Sequence, residues 1–155
     1  MPARKTIERA RRAKRKGKAP TTQAGEFVHE EIRKIRRGQR GARSPQQAIA
    51  IGLAEARRAG VKLPPPKRGQ AKERTRKSAE YAYEVGQRKR KPKRQPRVSR
   101  AVSAVMKREP RNTASPQALS RHAKQAASGR KIAKRSATPK KGQAKRPSGS
   151  KRRRA

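Results

Sequence analysis

Large apolar side chains are too few in this chain to build a core along its whole length. Ile, Val, Leu and Phe together account for 16 of the 155 residues. A highly charged chain with less than roughly 20% of these residues is expected to be disordered. Ordering each residue costs roughly 1–2 kcal/mol of backbone entropy, and burial must offset that cost. The sequence therefore predicts a mostly disordered chain that contains one small all-α unit.

Charge divides the chain into two parts. Residues 1–85 hold 24 basic and 8 acidic side chains, whereas residues 86–155 hold 25 basic side chains and a single acid, Glu109. Most of the large apolar residues fall in the first part, so folding is expected there. We divide the chain into a basic disordered arm at 1–20, a helical hairpin at 21–66, a segment able to form a third helix at 67–87 and a basic low-complexity tail at 88–155.

Residues 22–37 have the pattern of an amphipathic helix. At about 100° per residue, one face collects the large apolar side chains, which are Phe27, Val28, Ile32 and Ile35. Thr21 or Thr22 can cap the start of this helix, and Gly38 is a typical helix stop after its last turn.

Residues 45–59 carry the clearest local signal. Ser44 and Gln47 form an S-x-x-Q capping pattern, and Pro45 occupies the first helical position. Gly60 ends the helix. The predicted buried face is mostly small and contains Ala48, Ile49, Gly52, Leu53, Ala56 and Ala59. Such a face allows another helix to approach closely.

The short connection at 38–43 favours an antiparallel pair of helices, an αα-hairpin. Because about 40 residues is the lower limit for unaided folding, a homodimer through residues 22–63 or a third helix would stabilise it. Residues 70–86 can supply that helix, and packing against the hairpin is the favoured role for Tyr81 and Val85. Marginal helices are expected at 99–107 and 116–128.

Catalysis and metal binding are not expected. The chain has no Cys and two His residues, His29 and His122, and no phosphate-binding loop or nucleophile elbow is present. His29 fits a solvated helix face better than a ligand set. We therefore predict a non-enzymatic protein without cofactor or metal. Because no apolar run approaches the ~20 residues of a membrane span, we expect no membrane partner.

The formal net charge of +40 is the main functional signal. Duplex DNA carries one phosphate per ~1.7 Å, so this charge matches the phosphates of roughly 20 base pairs. Double-stranded DNA is the expected partner. RNA is an alternative partner, because it offers the same phosphates.

Two sets of residues are predicted to bind nucleic acid. The first surrounds the start of the second helix, where arginines and helical amides can receive a phosphate, and consists of Arg36, Arg37, Arg40, Arg43 and Ser44. The second lies in the tail and consists of Arg88, Lys89, Arg90, Lys91, Lys93, Arg94, Lys140, Lys141, Arg152, Arg153 and Arg154. Lys140 and Lys141 belong to a Thr-Pro-Lys-Lys turn that starts at Thr138 and is typical of linker-histone tails.

The stretch QAIAIGLAEARRAG, from Gln47 to Gly60, resembles a motif of small basic bacterial proteins that are described as histone-like or DNA-binding and have no assigned activity. The similarity extends over residues 24–66. Residues 86–155 resemble linker-histone tails in composition. These resemblances imply a cytoplasmic, nucleoid-associated protein.

The combined expectation is largely sequence-independent binding and compaction of double-stranded DNA. One alternative is an RNA-binding or ribosome-associated protein. Another is an adaptor whose hairpin docks a protein partner while its basic tails hold nucleic acid.

Overall fold

The described part of the chain is built from helices. The computed structural model describes residues 3–93 and 95–137, and no strand occurs among them. Their α-helices are α1 (Arg4–Arg15), α2 (Pro20–Arg36), α3 (Pro45–Arg58), α4 (Glu73–Gly86), α5 (Pro96–Arg108) and α6 (Pro116–Ala137), with a 3-10 turn at Asn112–Ala114. Of the described residues, those up to His122 belong to one compact unit and those from Ala123 onward to a second. Every contact described below lies within the first unit.

The all-α class is confirmed for these residues, but the prediction of a mostly disordered chain overstated the disorder. Helix α1 lies in the expected disordered arm, whereas α5 and α6 contain, and extend beyond, the helices expected at 99–107 and 116–128 in the tail. The reason is alanine, which a count of large apolar residues leaves out. The buried alanines are Ala10, Ala24, Ala42, Ala48, Ala56, Ala79, Ala82 and Ala114. Alanine is the best helix former and allows closely spaced helix axes, so α1 to α4 pack against one another with few large side chains.

One hydrophobic cluster joins α1, α2 and α3. Its buried members are Ala10, Ala24, Phe27, Ala56 and Val61, and Ile7, Leu53 and Leu63 pack against them. Phe27 is the largest of the fully buried side chains. Ile7 and Ala10 hold α1 in contact with α2, which explains why the basic N-terminal segment is helical here.

A second cluster lies at the other end of α2. Ile35, Ala42, Ala48 and Ala114 are fully buried in it, and Ile32 packs against them. Ala114 belongs to the 3-10 turn that follows α5, far along the sequence from its neighbours. A part of the predicted tail therefore completes the core of the helical unit.

Helices α2 and α3 pack against each other, and the small residues Ala48, Gly52 and Ala56 of α3 are buried as predicted, whereas Ala59 is exposed. A Cβ atom built on Gly52 would lie 2.7 Å from the Cα of Val28, which is closer than ordinary atomic contact. The hairpin was nevertheless too narrow a description of the fold, because only a third helix near 70–86 was expected to pack against it. Helix α1 also packs on α2, and α4 packs on α3, where Gly86 lies against the carbonyl oxygen of Arg57.

The helix ends follow local chemistry with one exception. The Oγ of Ser44 accepts a hydrogen bond from the Gln47 amide at 3.2 Å, as the capping pattern predicts. Gly38 and Gly60 end α2 and α3 with φ of 72° and 89°, values that favour glycine. Helix α2, however, starts at Pro20 without a side-chain cap, so the predicted threonine cap is wrong.

Helix α5 turns its apolar face to solvent. Val98, Val102 and Val105 are each about half exposed, at 54%, 50% and 49%. The C-terminal end of α5 is held by the amide of Gly41, which donates to the carbonyl oxygen of Met106 at 2.7 Å.

Nowhere in residues 3–93 and 95–137 is a helix both long enough and apolar enough to cross a membrane.

Candidate nucleic-acid interface

The predicted phosphate site between α2 and α3 is partly occupied by other parts of the chain. The Nε of Arg36 donates a hydrogen bond to the carbonyl oxygen of Ala114 at 2.8 Å. The Nε of Arg43 donates to Oε1 of Glu109 at 2.6 Å, and this contact raises the pKa of Arg43 above its ordinary value. The Arg43 side chain is still 72% exposed, and Arg37 is exposed as well. Both therefore remain accessible to a phosphate.

Arg40 has a different environment, because it belongs to a buried cluster of four charges between α2 and α3. Its Nη1 lies 3.0 Å from Oε1 of Glu31 and 3.6 Å from Oε1 of Glu55. The Nζ of Lys34 lies 3.5 Å from Oε2 of Glu55 and 3.9 Å from Oε2 of Glu31. Neither Oε2 atom accepts a hydrogen bond. Arg40 thus neutralises buried carboxylates, which reduces its availability for a phosphate.

Glu31 is fully buried, and burial raises the pKa of its carboxyl. Arg40 and Lys34 act against this shift by stabilising the carboxylate, whereas the nearby Glu55 carboxylate adds to it. Two carboxylates and two cations at this depth balance in formal charge, which is what allows them to be buried. The cluster connects α2 to α3.

The loop at 38–43 is covered by the segment that follows α5. The amide of Ala42 donates to the carbonyl oxygen of Pro110 at 3.4 Å, and the Oγ1 of Thr113 donates to the carbonyl oxygen of Ala42 at 2.9 Å. Gly41 lies against the backbone of Glu109. Sequence reasoning missed this contact. The only available signal was that Glu109 is the single acid in residues 86–155.

Some hydrogen-bonding groups at the start of α3 already have partners in neighbouring residues. Ser44 caps the Gln47 amide, and Oε1 of Gln47 accepts from the Arg43 amide at 2.8 Å. Arg57, near the end of α3, is buried, and burial lowers its pKa. Its guanidinium donates to the carbonyl oxygens of Leu63 and Pro64 at 3.1 and 3.2 Å. This arginine stabilises the loop after α3.

The predicted tail residues are exposed wherever they are described, namely Arg88, Lys89, Arg90, Lys91 and Lys93. Arg90 pairs with Glu84 at 3.2 Å and lies 5.0 Å above the centre of the Tyr81 ring. The Tyr81 hydroxyl accepts a hydrogen bond from the Lys93 amide at 2.9 Å. Tyr81 thus fastens the start of the basic segment to α4. Arg94, Lys140, Lys141, Arg152, Arg153 and Arg154, together with the turn at Thr138, lie outside the described residues.

A second basic surface, which sequence reasoning did not identify as a binding site, lies along α2 and borders the second core cluster at Ile32. We call it the α1–α2–α6 cleft. It has a volume of about 640 Å³ and is lined by Arg9, Glu26, His29, Ile32, Arg33, Arg36 and Leu119. The signal in the sequence was the spacing of His29, Arg33 and Arg36, which places them on one helix face.

Within the described ranges, no group of three or more His, Cys, Asp or Glu side chains could hold a metal ion. No protein-family model matches the chain, and neither the curated proteins nor the solved structures provide a match.

Proposed function

We propose that this protein binds and compacts double-stranded DNA without catalysis and largely without base preference. The observation that carries the proposal is the way the chain uses its acids. Seven of the nine glutamates form ion pairs within the described residues: Glu30, Glu31, Glu55, Glu73, Glu80, Glu84 and Glu109. Only six basic side chains enter these pairs, whereas the chain has 49. The acidic side chains are therefore far too few to neutralise the positive charge of the chain.

Phosphate neutralisation is the proposed mechanism. Each lysine or arginine that contacts a DNA phosphate releases condensed counterions, so affinity is high at low salt and falls steeply as salt rises. Most of these contacts carry no sequence information. A chain with charge along its whole length can contact more than one duplex, which would produce compaction.

The helical unit is proposed to act as the anchor of this binding. Arg37 and Arg43 are its accessible arginines near the start of α3, and the segment from Arg88 to Lys93 extends the positive surface from the end of α4. The predicted homodimer through residues 22–63 would double the number of DNA contacts. A cytoplasmic, nucleoid-associated location follows from the same proposal.

The test is a salt titration of the full-length protein on a 40-base-pair duplex and on a structured RNA of matched length. A full-length variant with the eight basic residues of 138–155 changed to Gln keeps the helical unit intact. If these residues contact DNA, the log–log salt slope should fall by up to about 7, at about 0.9 per phosphate contact. RNA binding tenfold tighter at every salt concentration would refute the DNA assignment and support the RNA alternative.

A further inference from the structure

We propose that the α1–α2–α6 cleft is a binding site for backbone phosphate of duplex DNA, distinct from the predicted site at the start of α3, with which it shares Arg36 alone. The inference rests on the proposed function for the identity of the ligand. Its geometry is independent of the disposition of the C-terminal residues, because every residue of the cleft belongs to the helical unit.

Three separate parts of the fold assemble the cleft. Helix α1 contributes Arg9, and one face of α2 contributes His29, Arg33 and Arg36. The first turn of α6 contributes Leu119. Docking of the 3-10 turn through buried Ala114 brings this turn of α6 into place. These residues are up to 110 positions apart in sequence, from Arg9 to Leu119, so the cleft exists only in the folded protein.

The charge in the cleft favours an anion. Three guanidinium groups oppose the single carboxylate of Glu26. Arg33 has one acidic neighbour, Glu30, at 3.5 Å, which is an ion pair at the outer limit of hydrogen bonding. Arg36 donates through Nε to Ala114, and this bond leaves the four N–H donors of its two Nη groups for a ligand. One arginine is therefore held in place and still able to bind.

The chemistry of the lining favours phosphate. Arginine donates two parallel hydrogen bonds to phosphate oxygens, a geometry that a lysine ammonium does not provide. Ile32 and Leu119 add an apolar surface, and a lower local dielectric strengthens the attraction between charges. A volume of about 640 Å³ exceeds the size of one phosphate group, and the exposed positions of Arg9 and Arg36 leave the cleft open. An open site of this size suits a strand of backbone better than a small enclosed anion.

The decisive variant is Arg9→Lys together with Arg33→Lys in the full-length protein. It keeps both positive charges and removes the paired N–H donors of the two guanidinium groups. The matched control is Arg11→Lys with Arg58→Lys. Arg11 is two residues from Arg9 and so faces nearly the opposite side of α1, and Arg58 is exposed on α3. All these proteins have the same net charge. Circular dichroism and Tm would establish that both variants are folded.

The first measurement is the Kd for a 12-base-pair duplex at 150 mM salt. The cleft variant should bind about tenfold more weakly than the control variant, because two bidentate arginine–phosphate contacts are replaced by lysine contacts that keep the charge without the paired hydrogen bonds. Equal affinities of the two variants would overturn the proposed site. Failure of the wild-type protein itself to bind the duplex would instead refute the proposed function, so the two failures are distinguishable.

The second measurement locates the ligand by two-dimensional NMR of the full-length wild-type protein. Saturable shifts of the His29, Arg33 and Leu119 amides on addition of the duplex support the site. Inorganic pyrophosphate should shift the same amides at higher concentration. If pyrophosphate shifts them and the duplex does not, the cleft is a site for free phosphates, and the assignment to DNA backbone is wrong.

Discussion

The Nε of Arg43 donates a hydrogen bond to Oε1 of Glu109 at 2.6 Å, joining two residues that are 66 positions apart. Glu109 is the only acid in residues 86–155, and it lies against an arginine that the sequence predicts as a phosphate ligand. A carboxylate at this place occupies one of the positions that a DNA phosphate would otherwise take.

Replacing this carboxylate should therefore increase DNA affinity. In Glu109→Gln, Arg43 loses its charged partner and phosphates lose a repelling neighbour, so Kd at 150 mM salt should fall by about two- to fivefold. Glu73→Gln is the control, because it makes the same charge change at an ion pair with Arg76, a residue outside the predicted interface. An equal change in Kd for both variants would show that only net charge matters.

Gly52→Ala should destabilise the helical unit by about 1–3 kcal/mol, since the added methyl group collides with the backbone of Val28 and forces α2 and α3 apart. Gly25→Ala is the matched control within a helix. A Cβ at Gly25 meets nothing within 4 Å, so alanine should stabilise α2 by up to about 1 kcal/mol. The free energy of unfolding from urea titration measures both changes, and a stable Gly52→Ala variant would contradict the close packing.

Gly41→Ala should detach the segment after α5 from the α2–α3 loop. The methyl group would collide with the backbone of Glu109, so the hydrogen bond to Met106 should be lost. Hydrogen exchange of the amide at position 41 is expected to accelerate by about tenfold or more, because that amide becomes exposed to water. Trypsin should also cleave faster after Arg108 and Arg111. Unchanged exchange in the variant would mean that the loop accommodates the methyl group.

The buried Glu31 predicts a particular dependence of stability on pH. Burial raises the pKa of this carboxyl, so between the unfolded value, about 4.3, and the raised folded value, the folded state holds more protons than the unfolded state. Stability contributed by Glu31 is therefore greatest at low pH and decreases as pH rises through this window. The free energy of unfolding of the wild type minus that of Glu31→Gln should fall over the same range. A constant difference would contradict the raised pKa.

Local chemistry made much of the fold predictable. The Ser44 cap and the glycine stops at Gly38 and Gly60 depend on hydrogen bonds within about five residues, so sequence patterns reveal them directly. The small face around Gly52 was also visible as a repeat of short side chains. The threonine cap of α2 was wrong because the helix starts at Pro20, two residues before the predicted start at residue 22, with Ala19 as its N-cap.

Helices near 99–107 and 116–128 were expected, but helix α1 at 4–15 and the docking of Ala114 into the core were not, because both depend on alanine packing. Ala10 and Ala114 are buried by partners in other elements. Nothing in their immediate neighbours distinguishes them from the many exposed alanines of the chain. Their burial depends on which helices meet.

The candidate site was also predictable from the sequence only in part. Composition alone determined the charge of +40 and hence the expectation of a polyanionic partner, because net charge does not depend on conformation. Only the tertiary structure decided which basic groups share a surface. It directs Arg40 toward buried carboxylates, places Glu109 on Arg43, and brings Arg9, Arg33 and Arg36 around one cleft. Net charge is a sum over all residues, whereas a binding site requires particular distances between side chains. Those distances are set by the packing of residues far apart in sequence.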